Sequence, residues 1–201
     1  MNRKLSALDK TQQALVLDAS VIINLLATGA AAEILGSLRL RAIIEETTLQ
    51  EVLHNPRDGK AAPLLLNELS SMNLLQFETM NADALDIFLD LVGAPIPDDL
   101  SDGEAATIAH AATTGRAAVI DERKATRIAK TNYAQVTLCS TLDILSCSRV
   151  IEALGAAAIS SAVFDATNYA RMRISSEFAD WVREILGPER AAACRTLRRL
   201  R

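Results

Sequence analysis

Aromatic side chains are nearly missing from this chain: one Trp, two Tyr and four Phe in 201 residues. Ala, Leu, Ile and Val must therefore build the core, and a base-reading surface of stacked aromatics is excluded. Cysteine is also sparse. Cys139, Cys147 and Cys194 form no CxxC pair, and an odd count of scattered thiols fits small buried residues in a reducing compartment. Eight glycines and five prolines are too few for a disordered or collagen-like chain. No apolar run approaches the length of a membrane span, and no secretory apolar core follows Met1-Asn2-Arg3-Lys4-Leu5-Ser6. The expectation is a cytoplasmic protein without a membrane segment. GxGxxG, Walker-type and nucleophile-elbow motifs are all lacking. A net charge of -4 exerts no general pull on nucleic acid, so any such contact must come from a local patch.

What the chain does have is two apolar runs that each end on an aspartate, Ala14-Leu15-Val16-Leu17-Asp18 and Ala117-Ala118-Val119-Ile120-Asp121. Buried parallel strands read as near-continuous aliphatic runs, and open α/β sheets bind ligands outside their carboxyl ends. Further strands are expected at 41–44, 74–78 and 135–139, with helices at 20–36, 48–54, 62–71, 82–92, 103–114 and 122–131. This alternation predicts a mostly parallel sheet with helices on both faces. Beyond residue 140 the pattern turns helical, at 141–152, 157–172 and 175–186, with Gly187-Pro188 closing the last. The stretch from Glu189 to Arg201 forms a basic tail of five arginines and one glutamate. The expected organisation is a domain over 1–140 and a helical extension over 141–201 packed on it.

Between the two aspartates lie Glu51 and the acid-rich stretch Asp98-Asp99-Leu100-Ser101-Asp102-Gly103-Glu104. Each acid has an ordinary reading. Asp18 and Asp121 suit helix N-caps, and Thr48-x-x-Glu51 and Ser101-x-x-Glu104 both match the capping box. As a set, however, they fall on strand ends and helix starts along one sheet edge, where gathered carboxylates repel unless a divalent cation offsets them. Oxygen donors alone suit Mg²⁺ or Mn²⁺ rather than zinc. The only histidines, His54 and His110, form no HxxxH pair, and His110 reads as a helix-face residue. Carboxylate-bound Mg²⁺ typically meets phosphates, so phosphodiester hydrolysis is the matching chemistry. Ser20 is open to two readings, a helix-start hydroxyl or a group that positions water or phosphate. Arg123, Arg127 and Lys130 share one helix face beside Lys124, either as a solvated stripe or as contacts to an RNA backbone.

At these residues the chain resembles the PIN-domain family of metal-dependent nucleases. Leu15-Val16-Leu17-Asp18-Ala19-Ser20 is similar to its first motif, Thr48-Leu49-Gln50-Glu51-Val52 to its second, Leu100-Ser101-Asp102-Gly103-Glu104-Ala105 to its third and Val119-Ile120-Asp121-Glu122 to its fourth. The "GEA…VIDE" pattern and the helical C-terminal segment are most similar to the VapC-like branch. One departure is Ser140-Thr141-Leu142-Asp143, where that branch often has a glycine-containing turn.

The resemblance implies a three-layer α/β/α sandwich and a Mg²⁺- or Mn²⁺-dependent endoribonuclease, commonly the toxin of a toxin–antitoxin pair, often homodimeric and inhibited by an antitoxin protein. It implies Asp18, Glu51, Glu104 and Asp121 as the catalytic, metal-holding set, with Asp102 as an auxiliary ligand and Glu122 as either a further ligand or a first-turn helix acid. Two other readings remain: a non-catalytic PIN-like module binding RNA or protein, and a haloacid-dehalogenase-type phosphohydrolase. The latter usually needs a second aspartate where Ser20 stands.

Overall fold

Five short aliphatic runs pair side by side in the computed structural model, which describes residues 6–9 and 14–198. They are β1 (Leu15–Leu17), β2 (Ala42–Glu45), β3 (Leu75–Glu78), β4 (Ala117–Val119) and β5 (Leu138–Cys139), in the spatial order β3-β2-β1-β4-β5. Every pairing is parallel. The expected sheet is present, all-parallel rather than mostly so. Between β1 and β4 the register is Leu15↔Ala117, Val16↔Ala118 and Leu17↔Val119, and the Asp18 amide donates to the Val119 carbonyl at 3.1 Å. The two aspartates thus follow neighbouring central strands at the same edge.

Alternation along these strands splits the core into two layers. Leu15, Leu17, Ala117 and Val119 join one buried cluster, while Val16, Ala118 and Ile120 join the other. The first is covered by α1 (Ala19–Thr28), α2 (Ala31–Leu38), α8 (Thr141–Ser146), α9 (Ser148–Leu154), α10 (Ala156–Tyr169), α11 (Ala179–Ala193) and α12 (Arg195–Arg198). The second is covered by α5 (Ala82–Val92), α6 (Asp102–Thr114) and α7 (Arg123–Asn132). Two shorter segments, α3 (Glu46–Leu49) and α4 (Ala62–Ser71), link β2 to β3. The result is a three-layer α/β/α sandwich. Burying each aliphatic side chain contributes about 1.5–3 kcal/mol, so the missing aromatics cost the core little.

Several helices depart from the expected bounds for local reasons. The run 20–36 is two helices, because Gly29 takes a left-handed φ of 70° and closes α1, and α2 leaves at 115°. The stretch 141–152 breaks at Cys147 into α8 and α9. At Gly187 (φ 71°) the chain kinks, and a helical course resumes through Pro188 to Ala193 rather than stopping there. Among the described residues no single helix is long and apolar enough to cross a membrane. Arg199, Leu200 and Arg201, the end of the basic tail, lie outside the described residues, as does the N-terminal stretch before Ser6.

Candidate metal centre

Asp18 is buried where β1 turns into α1, and it caps that helix. Its Oδ2 accepts from the Ser20 amide at 3.2 Å and the Ser20 hydroxyl at 2.5 Å. Those bonds favour the carboxylate, but burial acts harder, and the nearby charge of Glu104 adds to it; the Asp18 pKa is pushed up to about 6. Glu104 sits in the first turn of α6, where a true capping box ties its Oε2 to the Ser101 amide at 3.1 Å. Capping and proximity to Asp18 therefore coexist at Glu104. Asp102, at the first position of α6, is exposed.

Glu51 does not cap its own helix as the Thr48 spacing suggested. Glu45 takes that role through the Thr47 amide, and the Thr48 hydroxyl is directed to the Gly103 carbonyl. Glu51 instead crosses to α6, where Oε1 accepts from the Gly103 amide at 2.7 Å. A Cβ at position 103 would lie 2.7 Å from that same oxygen, so the glycine is what lets Glu51 reach this helix start. Position 103 thereby links Glu51 to Glu104.

Asp121 is likewise no helix cap, since Glu122 caps α7 by accepting from the Lys124 amide. The Asp121 carboxyl is held by the Thr141 amide at 2.9 Å, the Thr141 hydroxyl at 2.5 Å and the Asn24 side-chain amide at 2.7 Å. Burial raises its pKa against the pull of those donors. Asn24 and Thr141 are buried and were not anticipated. A lone polar residue inside Ile22-Ile23-Asn24-Leu25-Leu26 was the available signal for the first. Thr141 stood within the noted departure at Ser140-Thr141-Leu142-Asp143. Arg173, also unanticipated, donates from Nη1 to the Asp121 backbone carbonyl at 2.7 Å.

Ser20, Asn24, Asp121, Glu122 and Arg173 line a depression of about 230 Å³. Ser20 thus has its hydroxyl on Asp18 while bordering the same depression as Asp121. Among the described residues, no three His, Cys, Asp or Glu side chains are gathered as a ready cation cage. Each acid holds a backbone, hydroxyl or amide donor instead. The donor chemistry nonetheless fits a hard cation. It is oxygen-only, its innermost carboxylate is disfavoured by burial and by a like charge, and among the described residues no Lys or Arg forms an ion pair with Asp18, Glu51, Glu104 or Asp121.

The α7 stripe divides. Arg127 pairs with Asp98 at 2.5 Å and Lys124 with Asp99 at 3.5 Å, so the acidic loop before α6 neutralises part of it. Arg123, Arg127 and Lys130 line a separate cleft, as does Asp121. The cysteines are free and buried as expected, and His110 is a buried helix-face residue beside Glu78 and Arg116.

A family model described as a PIN domain matches residues 14–187. No curated protein matches the chain, and no solved structure does.

Proposed function

The chain belongs to the PIN-domain family, a nuclease-type fold, and from that premise we propose that it is a metal-dependent endoribonuclease acting on RNA phosphodiesters. The single observation that carries this reading is the Asp18 carboxyl: it is buried, set against the charge of Glu104 and without a basic partner among the described residues. In this reading Asp18, Glu104, Asp121 and Glu51 hold Mg²⁺ or Mn²⁺, with Asp102 as an outer support. When bound, such a cation activates water and stabilises the oxygen that leaves phosphorus.

The protein's own groups supply placement. Ser20 keeps the Asp18 carboxylate oriented through two hydrogen bonds while lining the depression beside Asp121. Asn24 and Thr141 fix the Asp121 carboxyl, so that it needs no rearrangement when charge develops nearby. Arg123, Lys124, Arg127 and Lys130 on α7 supply contacts to the RNA backbone, whose affinity falls with salt. A role as the toxin of a toxin–antitoxin pair, with a homodimer and an antitoxin partner, is the biological setting this reading favours. A cytoplasmic location goes with it. The test is incubation of the purified protein with single-stranded RNA and Mn²⁺, then with EDTA. The reading expects internal cleavage that EDTA abolishes. RNA binding that persists in EDTA without any cleavage would favour the non-catalytic module.

A further inference from the structure

Arg173 comes from the segment between α10 and α11, far along the chain from the acidic motifs, yet it lines two depressions at once. One is the space shared with Ser20, Asn24 and Asp121; the other is a cleft of about 460 Å³ against α7. Its guanidinium is anchored on the Asp121 carbonyl, so it forms the ridge between them. On the far side of that ridge the cleft presents Arg123, Arg127 and Lys130 together with the hydroxyls of Ser140 and Ser175.

The charges facing this cleft are unevenly matched. Asp121 and Asp143 line it, their oxygens bonded by Thr141 and Asn24 in the first case and by Ser140 and the Ala7 amide in the second. Glu177 lines it too, and accepts from the Ser175 hydroxyl. Arg127 is held by Asp98. Among the described residues, Arg123 and Lys130 form no ion pair, and Arg173 is opposed by the charge of Arg123 while Glu122 and Asp121 attract it. Arg123, Lys130 and Arg173, lining one cleft with none of them in an ion pair among the described residues, make an arrangement suited to an anion.

We propose that the cleft bounded by Arg123, Lys130 and Arg173 is a subsite for a phosphate flanking the scissile one, so that the protein grips its RNA by two successive backbone positions. The inference rests on the nuclease reading for the scissile position. It adds that the scissile phosphate lies on the side of Arg173 lined by Ser20, Asn24 and Asp121, while the flanking phosphate is held on the other. A cleft of about 460 Å³ has room for a single nucleotide. The substrate is then RNA longer than a dinucleotide.

The test is binding in EDTA, which needs neither metal nor turnover. A 2′-O-methyl pentanucleotide and a dinucleoside monophosphate are titrated against the full chain and against Arg123→Ala, Lys130→Ala and Arg173→Gln, the last keeping a donor for the Asp121 carbonyl. Losing one phosphate contact should weaken pentanucleotide binding by about fivefold at 0.1 M salt and reduce the slope of log K against log salt by about 0.7. The dinucleotide, with a single phosphate to place, should bind weakly to all four proteins. Pentanucleotide affinity and slope unaltered in all three variants would overturn the subsite. If the protein cleaves RNA in Mn²⁺ under that outcome, the nuclease reading survives without it. If the subsite behaves as expected but no RNA is cut, the nuclease reading fails alone.

Discussion

Two charged regions, each with both buried and half-buried members, sit at the carboxyl edge of the same sheet, and they are built on different terms. At the ends of β2 and β3, Glu45 and Glu78 stand in register. There Arg116 donates to Glu78 at 2.5 Å and approaches His110 at 2.8 Å. At the ends of β1 and β4, Asp18 meets the Ser20 hydroxyl and the charge of Glu104, while the Asp121 carboxyl meets Thr141 and Asn24 and has Arg173 bonded only to its backbone carbonyl. In the first region a carboxylate is paired directly with an arginine. In the second no carboxylate forms an ion pair among the described residues, and on the proposed reading a bound cation would fill that role.

The largest effect separating the two regions should be on activity. Asp18→Asn keeps the acceptor for Ser20 but removes a carboxylate, and RNA cleavage in Mn²⁺ should fall by about 10²–10³-fold, because the cation that would stabilise developing charge is held less well. Arg116→Ala should leave specific cleavage unchanged. It strands Glu78 beside His110 without a cation, and chemical denaturation should show a loss of about 1–3 kcal/mol. If Arg116→Ala abolished cleavage while remaining folded, the division between the two regions would be wrong.

Acidity should move the regions oppositely in metal-free protein. Asp18 has its folded pKa raised from 3.8 to about 6, so the native state binds the proton more tightly and loses stability as pH rises through that window. Asp18→Asn should therefore be more stable than wild type above pH 6 by up to about 3 kcal/mol, with the gap closing toward pH 4. At the other region, burial and the charge of Arg116 depress the His110 pKa below 6.5. Burial pushes Glu78 upward, but Arg116 and His110 outweigh it and hold it below 4.5. Both groups contribute stability at neutral pH that is lost on acidification, His110 below 6.5 and Glu78 below 4.5. Urea midpoints of wild type, Asp18→Asn and Arg116→Ala across pH 4 to 8 in EDTA would show whether the signs differ.

The subtlest effect concerns Gly103→Ala. The new methyl displaces only the flexible end of Glu51, so stability should change by less than about 1 kcal/mol. Cleavage should nonetheless drop by about tenfold if Glu51 works from that position, as small misplacements near a reacting centre do. Unchanged cleavage would remove Glu51 from the working set.

Strand ends were legible in the sequence because aliphatic runs terminating in acids have few alternatives in a parallel sheet. Asp18 and Asp121 accordingly fall on neighbouring strands. Helix boundaries were legible where caps act locally: 82–92 opens on Asn81, and 103–114 opens on Ser101 and closes at Gly115, each within a residue of the structure. The break at Gly29 was missed because apolar periodicity runs straight through it. Partnerships across the fold were the least visible. Nothing local to Thr48-x-x-Glu51 reveals that Glu51 turns away to Gly103, and Glu122 displaced Asp121 as a cap because either acid satisfies the same spacing. Asn24, Thr141 and Arg173 belong to the site only through contacts spanning at least 20 residues of chain, which no short motif encodes.

The most direct measurement is calorimetric titration of Mn²⁺ into metal-free wild type, Asp18→Asn and Glu104→Gln at pH 7.5. Uptake by wild type that is lost or greatly weakened in both variants is the predicted result. Equal uptake by all three proteins, or none by wild type, would contradict the assignment of this acidic edge as a cation site.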